Sequence, residues 1–455
     1  MRASSLALRL LLLGCLIGCD GERAQRPARP RPVLVDAGAS DAAAPAVAHD
    51  NLDVPPGSLD ALFASLDAAE RGDPDARTLL LFFGDSHTGG DFLTSRLRST
   101  WQQRFGDAGR GLVGAGKVPW KHYYQRDVRY GGTGTWSAAI GGKRGDSEPF
   151  GIVGMRVSGE RKGAQLFVET CASCAAGTRT AQFEILYYVA PEHGLLRYRV
   201  DDGAWTSLST RTAGLEPAHP AREVVPVGDG PHRLTLEHGG GGTVDLFGVA
   251  LERTGPGVIV DALGVVGRRL VQLRSWDWSI IGEQLATRDP RLVVLQYGTN
   301  EASDPTLVLD DLARAYDDTI ARIRAAVPTA SILILGPPDM GVREAGRSCD
   351  RSKPPPAGVD AGVAPECTWR TPPVLHDIIA VERAAAARNR VAFFDTFAAM
   401  GGGDQMDGWA LADPPIAYKD HVHFTDAGYR QWADALSGAL LAEYGRWRAA
   451  REPAR

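Results

Sequence analysis

Apolar and polar positions along this chain follow two different periods, and the change of period divides it. Leu79 to Phe83 is an unbroken apolar run, too short for a helix, that stops at Gly84-Asp85-Ser86. Such a run predicts a buried strand with a tight turn at its carboxyl end. Leu93, Leu97, Trp101 and Phe105 then recur at four-residue spacing, the period of one helix face. The same rhythm returns from Val258 onwards. Val258–Val260, Leu292–Gln296, Ile332–Leu335 and Val391–Phe394 predict strands. Between them, helices are predicted from about Arg268 to Leu285, along the face Leu309, Leu312, Tyr316, Ile320 and Ile323, and from roughly Pro373 to Ala387. Trp432, Leu436, Leu440 and Tyr444 mark a last helix, and Leu59 to Ala69 a short first one. Parallel strands joined by helices make a three-layer α/β/α sandwich.

From about Gly145 to Gly257 the period drops to two. Phe183, Ile185, Tyr187 and Val189 alternate with mostly polar neighbours, and Leu196–Val200 runs into the turn Asp201-Asp202-Gly203 before Trp205. His232–Glu237 and Val244–Glu252 are two further strand-like runs. Short strands with turn signals and no helical period predict a β-sandwich or jelly roll inserted into the α/β unit. The glycines of 109–116 lack the Gly-Lys-Ser/Thr ending of a phosphate loop and follow a helix, so they read as a mobile loop bordering the site. Nearby Tyr123, Tyr124 and Trp136 could stack on sugar rings or simply pack.

Length and composition add the tails. At 455 residues the chain is expected to hold two domains plus extensions. The predicted divisions are a signal at 1–19, a tether at 20–55, a first α/β part at 56–144, the β insert at 145–257 and a second α/β part at 258–449. The tether is rich in Arg, Pro, Ala and Asp and too poor in apolar surface to fold. Net charge is −5 with no basic run, which argues against a nucleic-acid partner.

Arg2 and Arg9 flank an apolar stretch ending in Leu16-Ile17-Gly18-Cys19, which resembles a bacterial lipobox with Cys19 as the lipidated residue. Leu12-Leu13-Gly14-Cys15 is a second match with a shorter apolar region, and an ordinary secretion signal is the alternative. The expectation is an exported, lipid-anchored protein of the cell envelope, periplasmic or outer-surface. In that oxidising compartment Cys171 with Cys174 and Cys349 with Cys367 are expected as disulfides. Cys171-Ala172-Ser173-Cys174 could instead be a redox pair or half a zinc site, but no second ligand pair stands at the right spacing.

The chemistry gathers at the ends of predicted strands. Ser86 follows the first strand, a glycine (Gly264 or Gly267) the second and Asn300 the third, while Asp420-His421-Val422-His423 precedes the last helix. Acyl transfer needs a nucleophile, a base and a carboxylate to orient the base. Ser86, His423 and Asp420 fill these roles. The N–H groups of Ser86 and Gly267 with the Asn300 amide are candidates for an oxyanion hole. His421 is a rival base, which the Asp-x-x-His spacing disfavours. His87 reads as a structural neighbour pointing away from Ser86.

Gly84-Asp85-Ser86, the glycine after the second strand, Gly298-x-Asn300 and Asp420-x-x-His423 resemble, in order, the four blocks of the SGNH (GDSL-type) hydrolases. The resemblance implies a flavodoxin-like fold, serine esterase chemistry, no metal and no cofactor. The inserted β-region, with Leu246–Glu252, Asp261–Gly267 and Gly336-Pro337-Pro338-Asp339, resembles the peptidoglycan O-acetylesterase and O-acetyltransferase branch, whose insert is similar to a carbohydrate-binding module. Val266 departs from it, since relatives usually carry Asn there. The expected substrate is an acetylated polysaccharide or another ester. The alternatives are an acetyltransferase with the same triad and a non-catalytic glycan-binding lipoprotein.

Overall fold

The apolar runs become a parallel sheet. The computed structural model describes residues 51–142, 149–343 and 369–451. Five strands lie parallel in the order Ala392–Phe394, Ser331–Leu335, Leu292–Gln296, Arg77–Gly84 and Gly257–Gly264, and Leu52–Asp53 joins antiparallel at the Phe394 edge. Every residue of the strand Leu292–Gln296 is buried, as expected of a strand covered on both faces. Leu52–Asp53 thus belongs to the sheet, although it falls inside the tether limits of 20–55.

Helices cover both faces. Helix Phe92–Phe105 buries Leu93, Leu97, Trp101 and Phe105, the four residues that predicted it. It packs against helix Asp426–Ala449, where the Trp101 Nε1–H donates to Ser437 Oγ at 2.7 Å. Helices Asp60–Glu70 and Pro373–Asn389 form where they are expected, and Leu309–Ala326 buries Leu312, Tyr316, Ile320 and Ile323 of its predicted face. The helix expected from Arg268 to Leu285 is two elements. A 3₁₀ turn spans Leu270–Ser275, the chain extends at Trp276, and Asp277 caps a separate helix, Trp278–Arg288, by accepting from the Ser279 N–H. The Asp277 carboxylate restarts the helix in a way that an apolar period does not reveal.

The remaining described strands form a five-stranded and a six-stranded sheet, apart from the short pair Val342–Arg343 and Trp369–Arg370. They include the expected runs, here Thr180–Val189, Leu195–Val200, Arg233–Gly240 and Val244–Glu252. They also begin earlier than residue 145, because Arg129–Thr133 and Trp136–Ile140 pair into them. The glycine-rich 109–116 segment is not a mobile loop throughout: Gly109–Val113 is a buried strand antiparallel to Val244–Glu252. Its glycines hide the strand, because a Cβ at Gly111 would lie 2.2 Å from Asp261 Oδ1. Tyr123 is buried, and its hydroxyl accepts the Gly114 N–H at 2.7 Å, so it packs; Tyr124 is exposed. His219–Gly230, with two prolines, is an edge strand beside Thr180–Val189, where missing N–H donors are tolerated.

One apolar cluster runs from these two sheets into a face of the parallel sheet through Phe83, Leu263 and Leu295, and the described residues form one compact unit. Cys171 and Cys174 are disulfide-bonded. Cys19, Cys15, Cys349 and Cys367 lie outside the described residues. Among the described residues no helix is long and apolar enough to cross a membrane, and no group of three or more His, Cys, Asp or Glu is placed to hold a metal ion.

Candidate active site

Register builds the site. Gly84 pairs with Gly264 on one side and with Gln296 on the other, so three neighbouring strands end level and send out the loops that carry Ser86, Gly267 and Asn300. Ligands in open α/β sheets collect at such strand ends. Past Gly84, Asp85 accepts the His87 N–H at 2.9 Å and starts a single turn, Ser86–Gly89. That turn is pressed against Gly264, where a Cβ would lie 2.2 Å from Gly89 N. Gly267 faces open space and has φ +75°, a left-handed conformation that L side chains rarely adopt. The two candidate glycines therefore differ in place: Gly264 seats the nucleophile turn and Gly267 shapes the loop beyond it.

His423 comes from the other end of the sequence. Its Nε2 lies 2.8 Å from Ser86 Oγ and its Nδ1 lies 2.8 Å from Asp420 Oδ2. Asp420 Oδ1 meanwhile accepts the backbone N–H groups of Val422 and His423, both at 3.0 Å. Partial burial works to raise the Asp420 carboxyl, but the His423 ring and the two backbone donors outweigh it and hold the group well below the usual carboxylate range. The same hydrogen bond, opposed by burial and aided by the Asp420 charge, raises the His423 imidazole. The pair remains reachable by solvent, with side chains 36% and 49% exposed.

His421, two residues earlier, is committed elsewhere. Its Nδ1 lies 2.9 Å from Lys419 O, its Nε2 lies 2.9 Å from Asp407 Oδ1, and its ring stacks on Trp369 at 3.7 Å. His87 is fully buried and shares a 3.0 Å hydrogen bond with the Tyr429 hydroxyl. Burial, with the neighbouring His423 charge, drives it well below the ordinary imidazole range, so it stays neutral.

Asn300 is the second residue of the short helix Thr299–Ala302 and donates from Nδ2 to Arg268 O at 3.0 Å, which binds it to the Gly267 loop. Among the described residues the N–H groups of Ser86 and Gly267 donate to no protein acceptor. Sequence reasoning passed over the residues that fix these loops. Glu301, fully buried, accepts the Leu270 N–H at 2.7 Å and the Gly298 N–H at 2.9 Å, and so staples the Asn300 loop to the chain just after Gly267. Arg268 Nε donates to Gly141 O at 2.6 Å, and Gln272 Nε2 to Gly142 O at 2.5 Å, tying the same loop to the strand Trp136–Ile140 region. Glu301 had a signal in its adjacency to Asn300. The arginine contact had none, because its partner is a backbone carbonyl far away in sequence.

A serine hydroxyl bonded to an imidazole, itself bonded to a carboxylate, can form and hydrolyse an acyl ester without further groups. Fold and site together define the chemistry of a carboxylic ester hydrolase. Residues 227–431 match the model of the GDSL-like lipase/acylhydrolase family. The matched span holds Gly267, Asn300, Asp420 and His423, while the fold brings in Ser86 from outside it. Among solved structures, one described as a peptidoglycan O-acetylesterase in action is 24% identical, with 87% of this chain and 99% of that chain covered and a TM-score of 0.66. A family two carbohydrate esterase from Clostridium thermocellum in complex with cellohexaose is 13% identical over 68% of this chain and 99% of that one, with a TM-score of 0.27. Another from Cellvibrio japonicus is 12% identical over 69% and 99%, with a TM-score of 0.25. A comparison with curated proteins gave no match.

Proposed function

We propose that this chain is an exported esterase that removes O-acetyl groups from a cell-envelope polysaccharide, with peptidoglycan as the favoured polymer. The observation that carries this reading is the unbroken hydrogen-bonded line from Ser86 Oγ through the His423 ring to Asp420. The choice of polymer is supported by the fold shared with a protein described as a peptidoglycan O-acetylesterase.

In this reading the Ser86 oxygen attacks the acetyl carbonyl carbon while His423 Nε2 takes the hydroxyl proton. The carbonyl oxygen becomes negative facing the Ser86 and Gly267 N–H groups and the Asn300 amide. The carbon–oxygen bond to the sugar then breaks, and His423 returns the proton to the leaving sugar oxygen. Water, deprotonated by His423, releases acetate from Ser86 by the reverse sequence. Asp420 holds the Nδ1–H throughout and stabilises the charged ring. A lipid on Cys19 would anchor the enzyme, and the strand-rich layers would contact the glycan.

Acetate release from O-acetylated peptidoglycan and hydrolysis of a chromogenic acetyl ester test the reading directly. Both are expected of the wild type, and Ser86→Ala should lower them by about 10⁴-fold or more. Equal inertness of the two proteins across acyl lengths would sink the esterase. Activity on the small ester with no acetate from the polymer would sink the peptidoglycan assignment alone.

A further inference from the structure

A groove of about 640 Å³, lined by none of the triad residues, is left unused by the chemistry above. It runs between helix Phe92–Phe105, the segment around Arg126 and the disulfide loop at Cys174, and the first turn of helix Asp426–Ala449 borders it. That turn begins three residues after His423. Phe92 connects the groove inward: its ring stacks on Tyr429 at 5.3 Å, and Tyr429 reaches His87 beside the catalytic ring.

The walls are held unusually firmly for a surface feature. Asp91, fully buried, accepts from Arg98, from Arg110 and from the Arg126 backbone N–H at 3.0, 2.6 and 2.7 Å. Arg98 also pairs with Asp127, so the segment carrying Arg126 rests on a buried ionic cluster. The opposite wall is closed by the Cys171–Cys174 bond, and its Gly177 packs on Asp127 so closely that a Cβ would lie 2.0 Å from Asp127 O. Breaking one partner of such a cluster is costly, so these walls do not relax when a ligand arrives. Fixed walls lower the ordering cost of binding.

The charge of the groove is unbalanced. Arg126 and Arg430 share a single carboxylate, Asp426, while Arg96 at the far end has Asp434 to itself. Arg126 is splayed over the Phe92 ring at 4.3 Å with its side chain 42% exposed, and Arg430 is 62% exposed. Two guanidinium groups with one counter-ion leave a place for a second carboxylate, and arginine forks suit that shape. Ser95 and Ser173 supply neutral hydroxyls to the same surface.

We propose that this groove is a subsite for a carboxylate of the substrate, with Arg126 and Arg430 as its ligands, so that the enzyme selects acetylated glycans that are also acidic. This rests on the esterase reading for the identity of the ligand as a glycan. The test uses full-length Ser86→Ala protein, which retains bound substrate, and calorimetric binding at low salt. Three probes are compared: an O-acetylated glycan oligosaccharide with free sugar carboxylates, the same oligosaccharide after reduction of those carboxylates to alcohols, and one whose carboxylates are carried only on attached peptides. At least one acidic probe should bind about tenfold more tightly than the reduced one, and which of the two does so identifies the source of the carboxylate. That preference should fade as salt rises and vanish in Ser86→Ala/Arg126→Gln/Arg430→Gln, with thermal unfolding unchanged. Equal binding of all three probes, binding of none, or a preference that survives loss of both arginines would overturn the subsite. A wild type that cleaves acetyl esters but shows no such preference leaves the esterase standing; an inert wild type removes the esterase whatever the groove binds.

Discussion

Two imidazole–carboxylate pairs stand two residues apart in this protein and do different work. His423 with Asp420 and His421 with Asp407 have nearly the same nitrogen–oxygen distance, 2.8 and 2.9 Å. The difference lies in the other nitrogen. In His423 it meets the Ser86 hydroxyl, whereas in His421 it is taken by a backbone carbonyl and the ring is covered by Trp369. A carboxylate partner alone does not make a base; the free nitrogen must face a proton that has to move.

That contrast can be broken most severely at His423. His423→Ala should reduce kcat on an acetyl ester by about 10⁴–10⁶-fold, read by steady-state assay, since serine and base act as a unit. Asp420→Asn leaves both rings in place and should cost about 10³–10⁴-fold. It should also move the pH profile. The base works when neutral, so kcat/KM of the wild type should rise with pH through a midpoint above the usual imidazole value of about 6.5, because Asp420 raises the ring. In Asp420→Asn that midpoint should fall. An unchanged midpoint would show that Asp420 does not set the His423 proton affinity.

A third carboxylate sharpens the comparison through stability. Asp85 is fully buried, and desolvation, opposed by the His87 N–H and aided by the Glu301 charge, pushes it up to about 7. The unfolded chain ionises this group near pH 4 while the folded chain keeps its proton, so the folded state binds more protons across that interval. Stability should therefore decline as pH rises from about 4 to about 7, by up to about 1.4 kcal/mol per pH unit, and level off above. Asp85→Asn keeps the acceptor for His87 and should reduce this slope in urea midpoints measured across the range, leaving the part contributed by buried Glu301 and Glu382. The smallest effect is expected at His421→Ala: a loss of about 1–3 kcal/mol from an emptied, hydrogen-bonded pocket, with kcat changed less than tenfold. A loss of kcat comparable to that of His423→Ala would undo the assignment of roles.

How far these pairs could be told apart in the sequence depended on spacing. Asp420 and His423 are close enough for the pattern to choose between the histidines, and the apolar runs set Ser86, Gly267 and Asn300 at strand ends. What fixed His421, namely Asp407 and the stack on Trp369, was invisible because it comes from folding rather than from neighbours. The same holds for Arg268, whose partner Gly141 lies across the sheets, and for the cluster of Asp91, Arg98, Arg110 and Asp127. Local rules failed where glycine replaced an apolar residue in the strand Gly109–Val113 and where Asp277 restarted a helix inside one apolar period. Contacts between distant backbone carbonyls and side chains leave no local pattern.

The hydrogen bond between Ser86 and His423 joins residues 337 positions apart, and the Arg268 contact with Gly141 adds a second long closure. Neither the parallel sheet alone nor the strand layers alone would hold all the parts in place. Nucleophile and base therefore meet only in the folded chain: a nascent or proteolytically clipped chain that lacks either closure should not carry out acyl transfer. Competence to cut becomes a report that assembly is finished.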